Sequence, residues 1–174
     1  MSAMPDATAV NLSLLLLRAV LGVVFLAHGI NHVFRGGKIA GTARWFASLG
    51  MKPGVLHAWL ASLTEIGSGV LLLVGFLTPW AGAGVVGTML VAWITNHLKN
   101  GFFIFRPGEG YEYVMTLTCL GLGVAGLGAG EWSLDHAAGL FERPSMTGFL
   151  IGLVAGGGGA AGLLAVFWRP PARP

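Results

Sequence analysis

Apolar residues run along this chain in long blocks, without the alternation of half-buried strands. Five blocks stand out, about Val10–Val33, Leu56–Leu77, Trp80–Leu98, Tyr113–Gly130 and Met146–Trp168. Each approaches the roughly 20 residues that a helix needs to cross a bilayer. Lipid offers backbone groups no partner, so blocks of this kind must close their own hydrogen bonds as helices. The pattern predicts an all-α polytopic membrane protein. Only Thr78-Pro79 separates the second block from the third, which predicts a tight helical hairpin with proline in the first turn. The first connection is longer and is punctuated by Gly36-Gly37 and Lys52-Pro53-Gly54. Between them KIAGTARWFASLG puts Ile39, Ala43, Phe46 and Ala47 on one helical side. That predicts either a short helix in the membrane interface, within about 36–54, or an aromatic-belt loop.

Composition supports the membrane reading. Of 174 residues 55% are hydrophobic, 10% are charged and 29 are glycine, and the mean hydropathy is +0.76. A soluble fold could not cover that much apolar surface with so few charges. Glycine without a three-residue period excludes collagen, and the apolar content excludes disorder. A net charge of +3 does not imply nucleic acid, because the basic residues form no single face. The first eleven residues hold no Lys or Arg, so no cleavable signal is expected. Cys119 has no second cysteine with which to form a disulfide.

Charge does set an expected orientation. With five spans, Arg35, Lys38, Arg44, Lys52, Lys99, Arg106, Arg169 and Arg173 fall on one side. Arg143 faces the other side with Asp6, Glu131, Asp135 and Glu142. The positive-inside rule then places the N-terminus outside and the C-terminus in the cytoplasm of a bacterial inner membrane. Along the last block Gly148, Gly152, Gly156 and Ala160 recur every four residues, a stripe that allows close helix contact. It would serve a homo-oligomer or protein partner, or packing within the chain. The run Gly156–Gly159 predicts a kink or a partial crossing.

Polar groups at membrane depth carry the candidate chemistry. Arg18 and Glu65 fall at comparable depths when counted from the block ends, which predicts a pair stapling the first two spans or serving a ligand. His28 and His32 share a helix face, His57 begins the second span, Asn96 and His97 end the third, and Glu112 and Tyr113 open the fourth. By the expected topology these groups gather at the cytoplasmic mouth. Imidazole, carboxylate and phenol together can hold a quinone's carbonyls and exchange its protons. His28 and His32 with His97 or Glu112 could instead ligate a divalent metal, and opposed histidines could hold haem. Structural histidines are the third reading.

The ordered stretches LLLRAVLGVVFLAHGINHVF, WFASLGMKPGVLHAWLASLTEIGSGVLLLVGFLTPWAG, TMLVAWITNHLKNGFF, GYEYVMTLTCLGL and GAGEWSLDHAAG resemble the DoxX family of small bacterial membrane proteins, over about Leu14–Gly139. The matching motif positions are Arg18, Gly22, Phe25, His28 and Gly29, then Glu65 and Gly69, then His97, Asn100, Gly101 and Phe102. Gly110, Glu112 and Tyr113 follow, with Ser133 and Asp135 after them. Where family proteins often carry Lys-Leu, this chain has His32-Val33. The resemblance implies a transmembrane four-helix bundle over residues 1–139, with 140–174 adding a loop, a further glycine-rich transmembrane helix and a basic tail. It also implies redox association, since relatives include subunits linked to thiosulfate:quinone oxidation and proteins tied to oxidative-stress and thiol-redox complexes. The expected role is therefore a membrane subunit that binds a quinone or similar lipophile among Arg18, His28, His32, Glu65, Asn96, His97, Glu112 and Tyr113, and supports a partner oxidoreductase. The alternative is a non-enzymatic scaffold that recruits partner proteins.

Overall fold

The computed structural model of the chain describes residues 6–171. Residues 1–5 and Arg173 of the expected basic tail lie outside them. Among the described residues four helices are long and apolar enough to cross a membrane: Ala7–Phe34, Gly54–Val74, Thr78–Asn100 and Met146–Phe167. A shorter apolar helix, Glu112–Leu127, packs among them. In chain order these elements are α1 (Ala7–Phe34), α2 (Lys38–Ser48), α3 (Gly54–Val74), α4 (Thr78–Ala92) and α5 (Glu112–Leu127). They are followed by the short α6 (Leu134–Ala137), α7 (Met146–Leu150) and α8 (Gly158–Phe167). A π-helical segment, Trp93–His97, and a 3₁₀ turn, Leu98–Asn100, extend α4. A second π segment, Ile151–Gly157, joins α7 to α8 into one last helix.

The packing is inside-out relative to a soluble bundle. On α1, Leu12, Leu16, Val20 and Val23 are exposed while Asn11 and Arg18 are buried. Such a face is stable only against lipid. Inside, Leu21, Phe25, Leu72, Val85 and Val124 form the main core. α1 packs along α3, α3 along α4, α4 along α5, and α5 returns to α1. Glycine sets the α1–α3 crossing: a Cβ on Gly22 would lie 2.9 Å from the Gly69 carbonyl oxygen, and one on Gly29 would lie 2.9 Å from that of Ser62. These close approaches explain why the motif carries Gly22, Gly29 and Gly69.

Several sequence boundaries shift for local reasons. α3 stops at Gly75, which takes φ 65°, and Leu77 follows at φ 47°, so the hairpin turn precedes Thr78-Pro79. Thr78 and Pro79 form the first turn of α4. α5 ends at Leu127 because Gly128 turns to φ 79° and Gly130 to φ 76°. α2 is a helix over the segment read as interfacial, burying Thr42, Ala43 and Phe46. The small stripe of the last helix is used within the chain. A Cβ on Gly152 would lie 2.8 Å from that of Ala125, one on Gly156 would lie 2.7 Å from the Ala83 carbonyl oxygen, and Ala160 is buried. The π segment takes in Gly156 and Gly157 of the glycine run, and the helix continues through Gly158 and Gly159 without interruption.

Candidate functional site

The expected Arg18–Glu65 pair does not form. The Gly22–Gly69 contact fixes the antiparallel register of α1 and α3. Arg18, four residues before Gly22, therefore falls opposite residues 72–73 and not opposite Glu65. Seven or eight residues of helix separate those levels, about 12 Å at ~1.5 Å rise per residue. Counting depth from block ends missed this offset. Arg18 is fully buried and donates from Nη1 to the Leu72 carbonyl at 3.0 Å and from Nη2 to the Trp132 carbonyl at 2.8 Å. It ties α1 to the C-terminus of α3 and to the loop after α5. Gly75 leaves room for the guanidinium: a Cβ there would lie 2.8 Å from Arg18 Cζ.

Asp135 completes this end of the bundle. The Leu77 and Thr78 N–H groups donate to its carboxylate at 2.8 and 3.0 Å, and its own N–H donates to the Gly75 carbonyl at 2.8 Å. Asp135 thus caps the N-terminus of α4, where the helix dipole favours an anion. Ser133, its motif neighbour, caps α6 by accepting from the His136 N–H at 3.1 Å. This constellation is structural.

The opposite end holds a cavity of about 450 Å³. That volume lies within the range of small-molecule sites, roughly 300–1,000 Å³. Of the candidate residues, His28, His32, Glu65, Asn96, His97 and Tyr113 line it; Arg18 and Glu112 do not. At its heart His32 Nδ1 faces Glu65 Oε2 at 3.2 Å, without the alignment of a hydrogen bond. Both atoms are buried and have no hydrogen-bond partner. The Glu65 side chain is only 4% exposed, so the carboxyl sits at membrane depth with acceptor capacity unused. Trp45 of α2 lies beside His32, ring centroids 6.5 Å apart, and Tyr113 lies 6.4 Å from His28.

Two further groups belong to the cavity: His57, which the sequence places at the mouth but not among the eight expected binding residues, and walls from α2 and the last helix. His57 is 2% exposed, packs edge-on to Phe167 at 5.1 Å, and leaves its buried Nε2 without a partner. Its position one turn inside α3, in phase with Glu65, is the sequence signal for it. Gly156 and Gly159 of the last helix also form wall, as do Trp45 and Phe46 of α2. Nothing in the hydrophobic pattern identifies those walls, because they depend on which neighbours the helices choose.

His97 and Glu112 have other work. A carbonyl can only accept, so the 2.9 Å contact between His97 Nδ1 and the Glu109 carbonyl requires the proton on Nδ1. Nε2 is then the acceptor for the Asn96 amide at 3.3 Å, which leaves neither ring nitrogen available. Asn100 donates to the carbonyls of Asn96 and Glu109, both at 3.1 Å, and to that of Gly108. Glu112 Oε1 accepts from the Ile104 N–H at 3.0 Å. These motif residues therefore fold the loop 101–111 across the end of α4. A metal site at His28, His32 and His97 finds no support in this arrangement. Among the described residues no three His, Cys, Asp or Glu side chains come together to hold a metal ion.

The chain can be compared with known proteins on this basis. The DoxX family model matches residues 13–98, from within α1 to the first residue of the 3₁₀ turn that follows the π segment. That stretch supplies Arg18, His28, His32, His57, Glu65 and His97. No curated protein and no solved structure matches the chain.

Proposed function

We propose, for a chain whose residues 13–98 belong to the DoxX family, that the cavity binds a membrane-soluble quinone or a lipophile with a similar carbonyl-bearing head. One observation carries this reading: an apolar cavity of about 450 Å³ contains a buried carboxyl and two imidazoles whose buried Glu65 Oε2, His32 Nδ1 and His57 Nε2 make no hydrogen bond beyond the 3.2 Å contact between His32 and Glu65. Leaving such atoms unsatisfied costs ~1–3 kcal/mol each, more when charged, so a ligand that engages them recovers a substantial free energy. A quinone carbonyl only accepts, so it would take a hydrogen bond from a His32 N–H or a protonated Glu65, while an ionised Glu65 would accept the O–H of the quinol; Tyr113 and His28 line the way to the mouth. The site holds no thiol pair, and Cys119 lies exposed on α5 outside the cavity. Any electron transfer therefore belongs to a partner oxidoreductase that uses this chain as its membrane subunit.

Orientation follows from the loops. Arg35, Lys38, Arg44, Lys52, Lys99, Arg106 and Arg169 lie at the cavity's end of the bundle, which by the positive-inside rule supports a mouth at the cytoplasmic face of a bacterial inner membrane.

The test is saturable quenching of tryptophan fluorescence by decyl-ubiquinone, read through Trp45 at the cavity wall. One charge-assisted hydrogen bond is worth about 1.5–3 kcal/mol, or roughly 10- to 100-fold in affinity. Glu65→Gln and His32→Ala should weaken binding within that range. Quenching that never saturates, or that both variants leave unchanged, would remove the reading.

A further inference from the structure

The cavity is not only a mouth at the end of the bundle. Its lining includes His32, Glu65 and Tyr113 and also an outer group of mostly small or apolar residues on α4 and the two helices that flank it. The outer group comes from three helices: Leu60 and Thr64 on α3, Gly84 and Gly87 on α4, and Gly156 and Gly159 on the last helix. α3 and the last helix each pack on α4 without packing extensively on one another. They meet at the basic end, where Phe167 packs on His57 and Met51 bridges to Trp168. Deeper in the membrane a slot therefore remains between them, floored by α4. Gly84 faces Ser68, and Gly87 faces Gly156. The register places the slot at the depth of Glu65, not at the aqueous end.

Resting on the quinone reading above, we propose that this slot is a lateral doorway between α3 and the last helix. It admits the head of a long-chain lipophile from the bilayer and holds the first part of its tail while the head lies against His32 and Glu65. The occupant is a single flexible apolar chain. The slot's residues line the same cavity as His32 and Glu65, Leu60 and Gly159 among them are exposed on membrane-spanning helices, and nothing stands within 4 Å of a Cβ at Gly159, which leaves room for methylenes. A buried Glu65 carboxyl, with one oxygen unpartnered, lies at its inner end. A compact water-soluble ligand would use the mouth and need no slot. The last helix thereby acquires a function: it is one jamb of the doorway.

Gly159 gives a direct test, because a Cβ there would meet nothing within 4 Å although the residue lines the cavity. Gly159→Leu should fold, since leucine also favours helix over glycine, and its side chain should fill the slot. Ala155→Leu, on the same jamb and also exposed, is the second blocking variant. Gly162→Leu is the control, on the same helix, in open space and outside the lining. Two probes are titrated into the full chain in lipid nanodiscs: 2,3-dimethoxy-5-methyl-1,4-benzoquinone, which is a bare head, and its decyl derivative. The blocking variants should weaken the decyl probe at least tenfold and leave the bare head within twofold, with Gly162→Leu unchanged for both. If the wild type binds both probes and the blocking variants weaken both equally, or neither, the doorway is wrong and the head site stands. Failure of the wild type to bind either probe would overturn the head site and the doorway with it.

Discussion

Arg18 and Glu65 offer a quantitative test of the helix register. If Arg18 serves the α3 terminus and Glu65 serves the cavity, removing one should not change the cost of removing the other. Arg18→Met keeps much of the side-chain volume but loses both hydrogen bonds. The Trp132 carbonyl then loses its Arg18 donor, while Leu72 retains the 3.3 Å bond from the Gly75 N–H. One orphaned buried carbonyl and one weakened site, offset in part by no longer burying a cation, amount to a loss of about 2–4 kcal/mol. Glu65→Gln is isosteric and leaves the Arg18 network untouched. Sites about 12 Å apart along the bundle, at ~1.5 Å per residue, with no shared partner, should be additive within ~0.5 kcal/mol. The assay is reversible unfolding of the wild type, the two single variants and the double variant in mixed micelles. A coupling free energy above about 1 kcal/mol would mean that the two side chains interact, and would refute the register argument.

Further expectations concern the same framework. Asp135→Asn keeps one acceptor where the carboxylate had two, so α4 loses a capping bond and its dipole partner. Unfolding should then come about 1–2 kcal/mol earlier, and an unchanged midpoint would show that the cap is dispensable. Gly22→Val should prevent α1 and α3 from closing, and should abolish the folded monomer in size-exclusion chromatography. Gly67→Ala, exposed with open space around its Cβ, should instead stabilise by roughly 0.5–1 kcal/mol. Topology is read with single cysteines in a Cys119→Ser background and a membrane-impermeant maleimide on right-side-out vesicles. Ala138→Cys should label and Arg35→Cys should not; the reverse pattern would invert the orientation.

Much of the architecture is legible in the sequence because lipid imposes a crude rule on it. Blocks of about 20 apolar residues mark helices, and the Lys52-Pro53-Gly54 and Gly128–Gly130 interruptions mark their limits to within a few residues. The polar residues that gather at one end were also legible, since antiparallel helices return His28, His32, His57, Asn96, His97 and Tyr113 to one cavity, whereas Glu65, expected beside Arg18, joins them only in the structure. Which of them pair was not. Depth counted from block ends is uncertain by two turns, enough to match Arg18 with the wrong partner. Only the glycine contacts that form in three dimensions remove that uncertainty. Glu112 illustrates a second limit: it neighbours Tyr113 in sequence, yet one helical step turns it onto the Ile104 N–H and away from the cavity. The walls from α2 and the last helix were hidden for a third reason. Uniformly apolar helices show no preferred face, so hydrophobicity does not reveal their neighbours.

The claim that matters most is that the His32–Glu65 chamber holds a membrane lipophile, and organic extraction of the purified protein tests it without prior choice of ligand. Chain purified in mild detergent is extracted and compared by mass spectrometry with an unrelated membrane protein from the same cells, alongside Glu65→Gln and His32→Ala. A carbonyl-bearing lipophile near one per chain in the wild type, and depleted in both variants, is the expected result. Background lipid alone, indistinguishable among wild type, variants and control, would contradict it.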